Sequence, residues 1–142
     1  MHQPDQPSTC DIEVRVRYAE VDQMGVVHHS RYLEYFEMGR TELLRQGGVS
    51  YRQWEQRGIL LVVVRASVSY HAPARYDDLL VITTTLDRVG GVKIEHGYKL
   101  TRKDDGVLVA SGSTTLGCID RSGKIVPLPP EITGRMKGLR DS

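Results

Sequence analysis

Two cysteines, one tryptophan and one phenylalanine are all that this chain of 142 residues holds of those types. Cys10 and Cys118 share no CxxC spacing and have no companion cluster. Neither a disulfide framework nor a bound metal is therefore expected, and a reducing, cytoplasmic compartment is the simplest reading. Excess charge is also missing. Nineteen basic residues stand against eighteen acidic ones, a net charge of +1, so nothing global draws the chain toward nucleic acid. Long apolar runs are absent too: the longest, Ile59 to Val64, has the length of a strand and falls far short of the ~20 residues of a membrane span. The opening MHQPDQPSTC lacks the basic-then-apolar order of a secretory leader. What is present is ordinary folded composition, 39% hydrophobic and 26% charged. It fits a single domain over 1–142, long enough to bury a core without covalent staples.

Residues 1–9 are polar, carry two prolines and read as a loose arm. Residues 11–18 alternate, with Ile12, Val14, Val16 and Tyr18 facing one way and Glu13, Arg15 and Arg17 the other, the mark of a half-buried strand. A loop over 19–29 holds Asp22 and Gly25. A helix follows from about Arg31 to Arg45, with Ser30 placed to cap it through its hydroxyl. Tyr32, Tyr35, Phe36, Gly39, Leu43 and Leu44 fall near one stripe of this helix. Gly39 inside it costs ~1 kcal/mol relative to alanine, which close packing on a sheet would explain. Glu37 and Arg40 are spaced for an ordinary i,i+3 ion pair. Gly47-Gly48 ends the helix, and 50–57 reads as a short second one.

Four strands are predicted at 59–71, 78–88, 92–102 and 107–119, separated by Pro73, Gly90-Gly91 and Asp104-Asp105-Gly106. The last two connections suit hairpins. The proline-rich IVPLPPEI begins an extended surface tail over 124–142. Strand, long helix, then four strands implies an α+β fold, with an antiparallel sheet of about five strands wrapped around one long helix. Such a sheet leaves an open edge that invites a second copy.

Chemistry concentrates in Tyr18 to Arg40, YAEVDQMGVVHHSRYLEYFEMGR. Helix starts carry free N–H groups and partial positive charge. An N–H aimed at a thioester carbonyl stabilises the negative charge that grows there during attack. A bend at Gly25 could bring Asp22 to the other face of the same carbonyl, to attack it or to take a proton from water. Asp22 could also simply hold an Asx-turn. Tyr18 could pack in the core with its hydroxyl tied off. His28 and His29 are adjacent, which ill suits joint metal ligation, and no ligand set accompanies them. Val27, Tyr32, Tyr35, Phe36 and Val63 suit an apolar pocket or, equally, a core.

The pattern Tyr18-x3-Asp22-x2-Gly25-Val26-Val27-His28-His29-x2-Tyr32, followed by a helix, resembles the 4-hydroxybenzoyl-CoA thioesterase family. It is most similar to the branch associated with the Tol–Pal system. It departs at His28, where that branch has tyrosine or phenylalanine. Ser69-Tyr70-His71-Ala72-Pro73-Ala74-Arg75-Tyr76-Asp77-Asp78 resembles the same family's strand-to-strand corner. The resemblance implies a hotdog fold, assembled as homodimers or homotetramers, that hydrolyses acyl-CoA without a cofactor other than the CoA of its substrate. It puts the family's catalytic aspartate on Asp22 and the carbonyl-polarising amide on His29, with Tyr18 as a further candidate. Gly25, Val27, His28 and Tyr32 are candidates for lining the substrate. Arg88 and Lys93, flanking Gly90-Gly91, are candidates for CoA phosphates, since basic side chains suit such contacts. A thioesterase for acyl carrier protein and a non-catalytic acyl-CoA-binding protein remain alternatives. A hydratase is disfavoured, because the D-x-N-x-x-H spacing of hotdog hydratases meets Met24 and Val27 here.

Overall fold

The computed structural model describes residues 8–130 and Ile132. The expected arm therefore lies outside the described residues up to position 7, and Thr9 already belongs to the first strand. In chain order the elements are strand β1 (Thr9–Arg15), helix α1 (Arg31–Gln46), helix α2 (Tyr51–Gln56) and strands β2 (Leu60–Tyr70), β3 (Leu79–Val89), β4 (Lys93–Arg102) and β5 (Leu108–Ile119). All pairings are antiparallel, in the order β1-β3-β4-β5-β2.

Helix α1 lies against one face of this sheet, which is the hotdog arrangement. Alternation explains the contact: in β3, Leu80, Ile82, Thr84 and Leu86 are buried, with Ile94, His96, Tyr98 and Leu100 beside them in β4. Gly39 is where helix and sheet come closest. A Cβ there would meet Thr84 Oγ1 at 2.2 Å and Ile82 Cγ2 at 3.0 Å, so only glycine lets α1 sit this low. Phe36, one turn earlier, stacks on Tyr98 with ring centroids 4.3 Å apart.

Several expectations are corrected. The first strand stops at Arg15, and the chain then forms a 3₁₀ turn over Tyr18–Glu20. Tyr18 is 77% exposed and packs edge-on against Tyr76, so it is not a core residue. Ser30 precedes α1 without a side-chain cap bond; its hydroxyl meets His28 Nδ1 at 2.8 Å instead. The described part of the tail is extended and mostly exposed, as expected, but Leu128, Pro129 and Ile132 turn inward. Ile125 bridges to Ile119, the Leu128 amide donates to Gly91, and Leu128 and Ile132 close one end of the core. The Val126 amide donates to Cys118 and the Ile132 amide to Pro129, so the chain carrying these two side chains finds backbone partners.

Candidate active site

Asp22 sits on a miniature hairpin between the 3₁₀ turn and α1. Val21 pairs with Val27, the Asp22 amide donates to Val26, and the His28 amide donates to Glu20. Gly25 closes the tip with a positive φ of 79°. No atom lies within 4 Å of where its Cβ would be. The glycine therefore serves the turn, since left-handed backbone disfavours other residues. Val26 bridges to Arg75 and the Val27 amide donates to Ala74, which fixes the hairpin to the Ala-Pro corner.

The two carboxylate oxygens of Asp22 differ. Oδ1 accepts from the Met24 amide at 2.8 Å and from the Val26 amide at 3.4 Å. This is the Asx-turn that the bland reading anticipated. Oδ2 makes no hydrogen bond among the described residues, and the side chain is exposed. One oxygen thus holds the loop while the other remains available. The His29 amide likewise makes no hydrogen bond among the described residues, as expected of an N–H just ahead of a helix. The His29 carbonyl accepts from Tyr70 Oη at 3.2 Å, tying the helix entrance to the end of β2. The His29 ring is exposed and lies 4.2 Å from that of His28, centroid to centroid.

A buried acid that sequence reasoning passed over supports this frame. Glu20 is 4% exposed. Its Oε1 accepts from the Arg17 amide at 2.8 Å and from Tyr35 Oη at 3.0 Å, and its Oε2 faces Arg17 Nη2 at 3.3 Å. It therefore links the turn before Asp22 to the middle of α1. Burial, followed by the Glu20 bond, raises the Tyr35 hydroxyl well above its usual range, so it stays protonated as the donor. The signal was present: Glu20 stands three residues after Arg17, the spacing at which a carboxylate reaches back to a cap amide. Tyr70 was also passed over; its ring packs edge-on to Tyr32, with centroids 5.3 Å apart.

The remaining candidates divide. Val27, Tyr32, Tyr35 and Phe36 are buried in the core of the chain. Tyr32 is nevertheless adjacent to the helix entrance, and its hydroxyl is bonded to the Ala74 backbone. Val63 is half exposed on β2. Arg88 and Lys93 line a cavity of about 600 Å³ together with Arg65 and Gly91, and Arg88 pairs with Glu95 at 3.4 Å. They lie at the opposite end of the sheet from the hairpin. Val26 of the hairpin bridges to Arg75, two residues beyond Pro73, whose carbonyl accepts from Arg102 at the far end of β4. From Lys93 to Arg102 the strand runs roughly 30 Å. Within one chain these two basic residues are not brought together with Asp22. Among the described residues no group of three His, Cys, Asp or Glu is placed to hold a metal ion.

Residues 16–136 match the thioesterase-like superfamily. The chain belongs to that superfamily. It is a thioester hydrolase of the hotdog fold. It is 36% identical to the putative acyl-CoA thioesterase YneP of Bacillus subtilis over 109 residues, covering 77% of this chain and 78% of that one. It is 32% identical to the acyl-CoA thioester hydrolase YbgC of Escherichia coli over 126 residues, 87% and 92% of the two chains. Among solved structures, a 1,4-dihydroxy-2-naphthoyl-CoA thioesterase from Synechocystis superposes with a TM-score of 0.85 at 25% identity, covering 92% of this chain and 97% of that one. Among the described residues no helix is long and apolar enough to cross a membrane.

Proposed function

We propose that this thioester hydrolase cleaves a short-chain or aromatic acyl-CoA to the free acid and CoA, with Asp22 as nucleophile or general base. The carrying observation is the pair of unpartnered groups around the hairpin: Asp22 Oδ2, whose sister oxygen is anchored at 2.8 Å, and the free His29 amide ahead of α1. Anchoring one oxygen pre-orients the other, so less order is lost when substrate arrives. The His29 amide polarises the thioester carbonyl while Asp22 attacks it or activates water. In this reading Tyr18, whose side chain is exposed, assists at the site, and Gly25, Val27, His28 and Tyr32 line the approach. No cofactor takes part beyond the CoA carried by the substrate.

The motif over Tyr18–Tyr32 favours the 4-hydroxybenzoyl-CoA type and its Tol–Pal-associated branch, with His28 as the departure. The working unit in this reading is a cytoplasmic homodimer or homotetramer. β2 supports it: a sheet edge with Val63 and Val64 49% and 56% exposed is a surface for a second copy. Antiparallel pairing of two β2 edges turns one subunit's Arg88 and Lys93 toward the other's helix entrance. Phosphate contacts of CoA would then come from the partner.

The test is thiol release from a panel of acyl-CoAs of graded length and aromatic character, run beside the same acyl groups on acyl carrier protein. Turnover of CoA esters at least as efficient as that of carrier esters is expected. Preference for the carrier would replace the substrate, and tight binding without thiol release would replace the enzyme reading with a binding protein.

A further inference from the structure

Glu20 joins the two halves of the site. Its backbone carbonyl accepts from the His28 amide at 2.9 Å, closing the hairpin that carries Asp22. Its buried side chain accepts from Tyr35 Oη at 3.0 Å, one turn beyond Arg31 at the start of α1. The same oxygen accepts from the Arg17 amide at 2.8 Å, and Oε2 faces Arg17 Nη2 at 3.3 Å. Arg31 adds a longer tie from the first helical turn, its Nη2 donating to the Ala19 carbonyl at 3.4 Å. Asp22 stands two residues past Glu20, and His29 stands two residues ahead of α1. The separation of the Asp22 carboxylate from the His29 amide is thus set by how the 3₁₀ turn is held against the helix.

Stability alone does not call for a carboxylate at this place. Taking one out of water is costly, and a well-packed apolar pair of the same volume commonly serves a fold as well or better. The partner hydroxyl is buried too, since Tyr35 is 1% exposed. What an apolar pair lacks is direction. A hydrogen bond fixes both the length and the angle between two elements, whereas apolar surfaces in contact can slide. Reacting groups are held in register by such bonds in the layer behind them.

We propose that Glu20 and Tyr35 are positioning residues of the thioesterase: their buried bond holds Asp22 and the His29 amide at the separation that lets both reach one thioester carbonyl. The inference rests on the thioesterase reading above. Both side chains are buried, so they act through the two reacting groups rather than on the substrate. Without the bond the turn shifts on α1, and a displacement of about 1 Å can cost about 100-fold in rate.

The test is kcat and KM on the best acyl-CoA of the panel, with thermal unfolding and circular dichroism of each protein. Glu20→Leu and Tyr35→Phe should stay folded and lower kcat about 10- to 100-fold with KM unchanged. Glu20→Gln keeps an oxygen that accepts from Tyr35 and from the Arg17 amide, so it should retain kcat near the parental value. The double variant Glu20→Leu/Tyr35→Phe should be no slower than the slower single variant, because both remove the same bond. Should Glu20→Leu not fold, Tyr35→Phe carries the test, since it keeps the ring and its packing. Parental kcat in Glu20→Leu and Tyr35→Phe, or a loss that only tracks the folded fraction, overturns the proposal and leaves the thioesterase reading intact. Additive losses in the double variant also overturn it. So does a Glu20→Gln enzyme as slow as Glu20→Leu with a displaced acid limb in its pH–rate profile, which would assign Glu20 a titrating role instead. Failure of the unaltered enzyme to hydrolyse any ester of the panel removes the thioesterase reading itself.

Discussion

Gly39→Ala isolates the contact that sets the depth of α1 on the sheet. Two effects oppose each other. Alanine favours a helix interior by ~1 kcal/mol over glycine. The new Cβ, however, meets Thr84 Oγ1 at 2.2 Å and Ile82 Cγ2 at 3.0 Å, and overpacking of a tight core costs about 1–3 kcal/mol. The 2.2 Å approach is deep inside contact distance, so the upper end applies and the net loss is about 2 kcal/mol. For a domain of this length that lowers Tm by roughly 7 °C. The Thr84 hydroxyl makes no hydrogen bond, so Thr84→Ala loses only its methyl, about 1 kcal/mol. It also removes the colliding atom. In that background Gly39→Ala should cost almost nothing, a coupling of about 2 kcal/mol between the two sites. Thermal and urea unfolding of the four proteins at one fixed concentration measures the cycle. Additive losses, or a Gly39→Ala protein as stable as the parent, would refute the claim that Thr84 sets the helix height.

Two further outcomes follow from buried and edge positions. His96 is held near a pKa of about 3 against 6.5 in the unfolded chain. Between those values the unfolded state binds the proton and the native state does not. Its share of stability is therefore full above pH 6.5 and falls as pH drops toward 3, by about 1.4 kcal/mol per pH unit. Urea midpoints from about pH 7 to 4 should decline less steeply in His96→Phe than in the parent, and parallel declines would contradict the burial argument. Val64→Lys places a charge on the exposed β2 edge and should shift the protein toward monomer in sedimentation velocity, with loss of turnover if the partner completes the site. A dimer unchanged by that substitution would move the subunit contact off β2.

Apart from the end of the first strand, the secondary structure was legible to within a residue or two because periodicity and punctuation agreed. Gly47-Gly48, Pro73, Gly90-Gly91 and Asp104-Asp105-Gly106 fall at element ends, and Gly39 marked the close approach of helix and sheet. Alternation alone failed at Tyr18. It records which side a residue would face while a strand lasts, not where the strand ends. The stop is made by Glu20, whose carboxylate reaches back to the Arg17 amide. Spacing rules also misplaced Arg40: the i,i+3 rule describes a solvated face, whereas Arg40 lies on the stripe of Phe36 and Leu43, facing the sheet. The tail misled for a related reason. Prolines show that a segment is extended, but whether Leu128 and Ile132 are buried depends on the open core end they meet. At the site, the Asx-turn read for Asp22 is present through Oδ1, while the catalytic reading is a matter for the assay below. The positions of Arg88 and Lys93 were not legible, because nothing local reveals that strand ends lie roughly 30 Å apart.

The most direct test is steady-state hydrolysis by Asp22→Asn of the best acyl-CoA from the panel. Asparagine keeps the oxygen that accepts from the Met24 amide, so the hairpin should remain folded. Removing the charge should lower kcat by at least about 100-fold, the contribution of a positioned base or nucleophile. An Asp22→Asn enzyme turning over at the parental rate with an unchanged fold would show that the available oxygen of Asp22 takes no part in the chemistry.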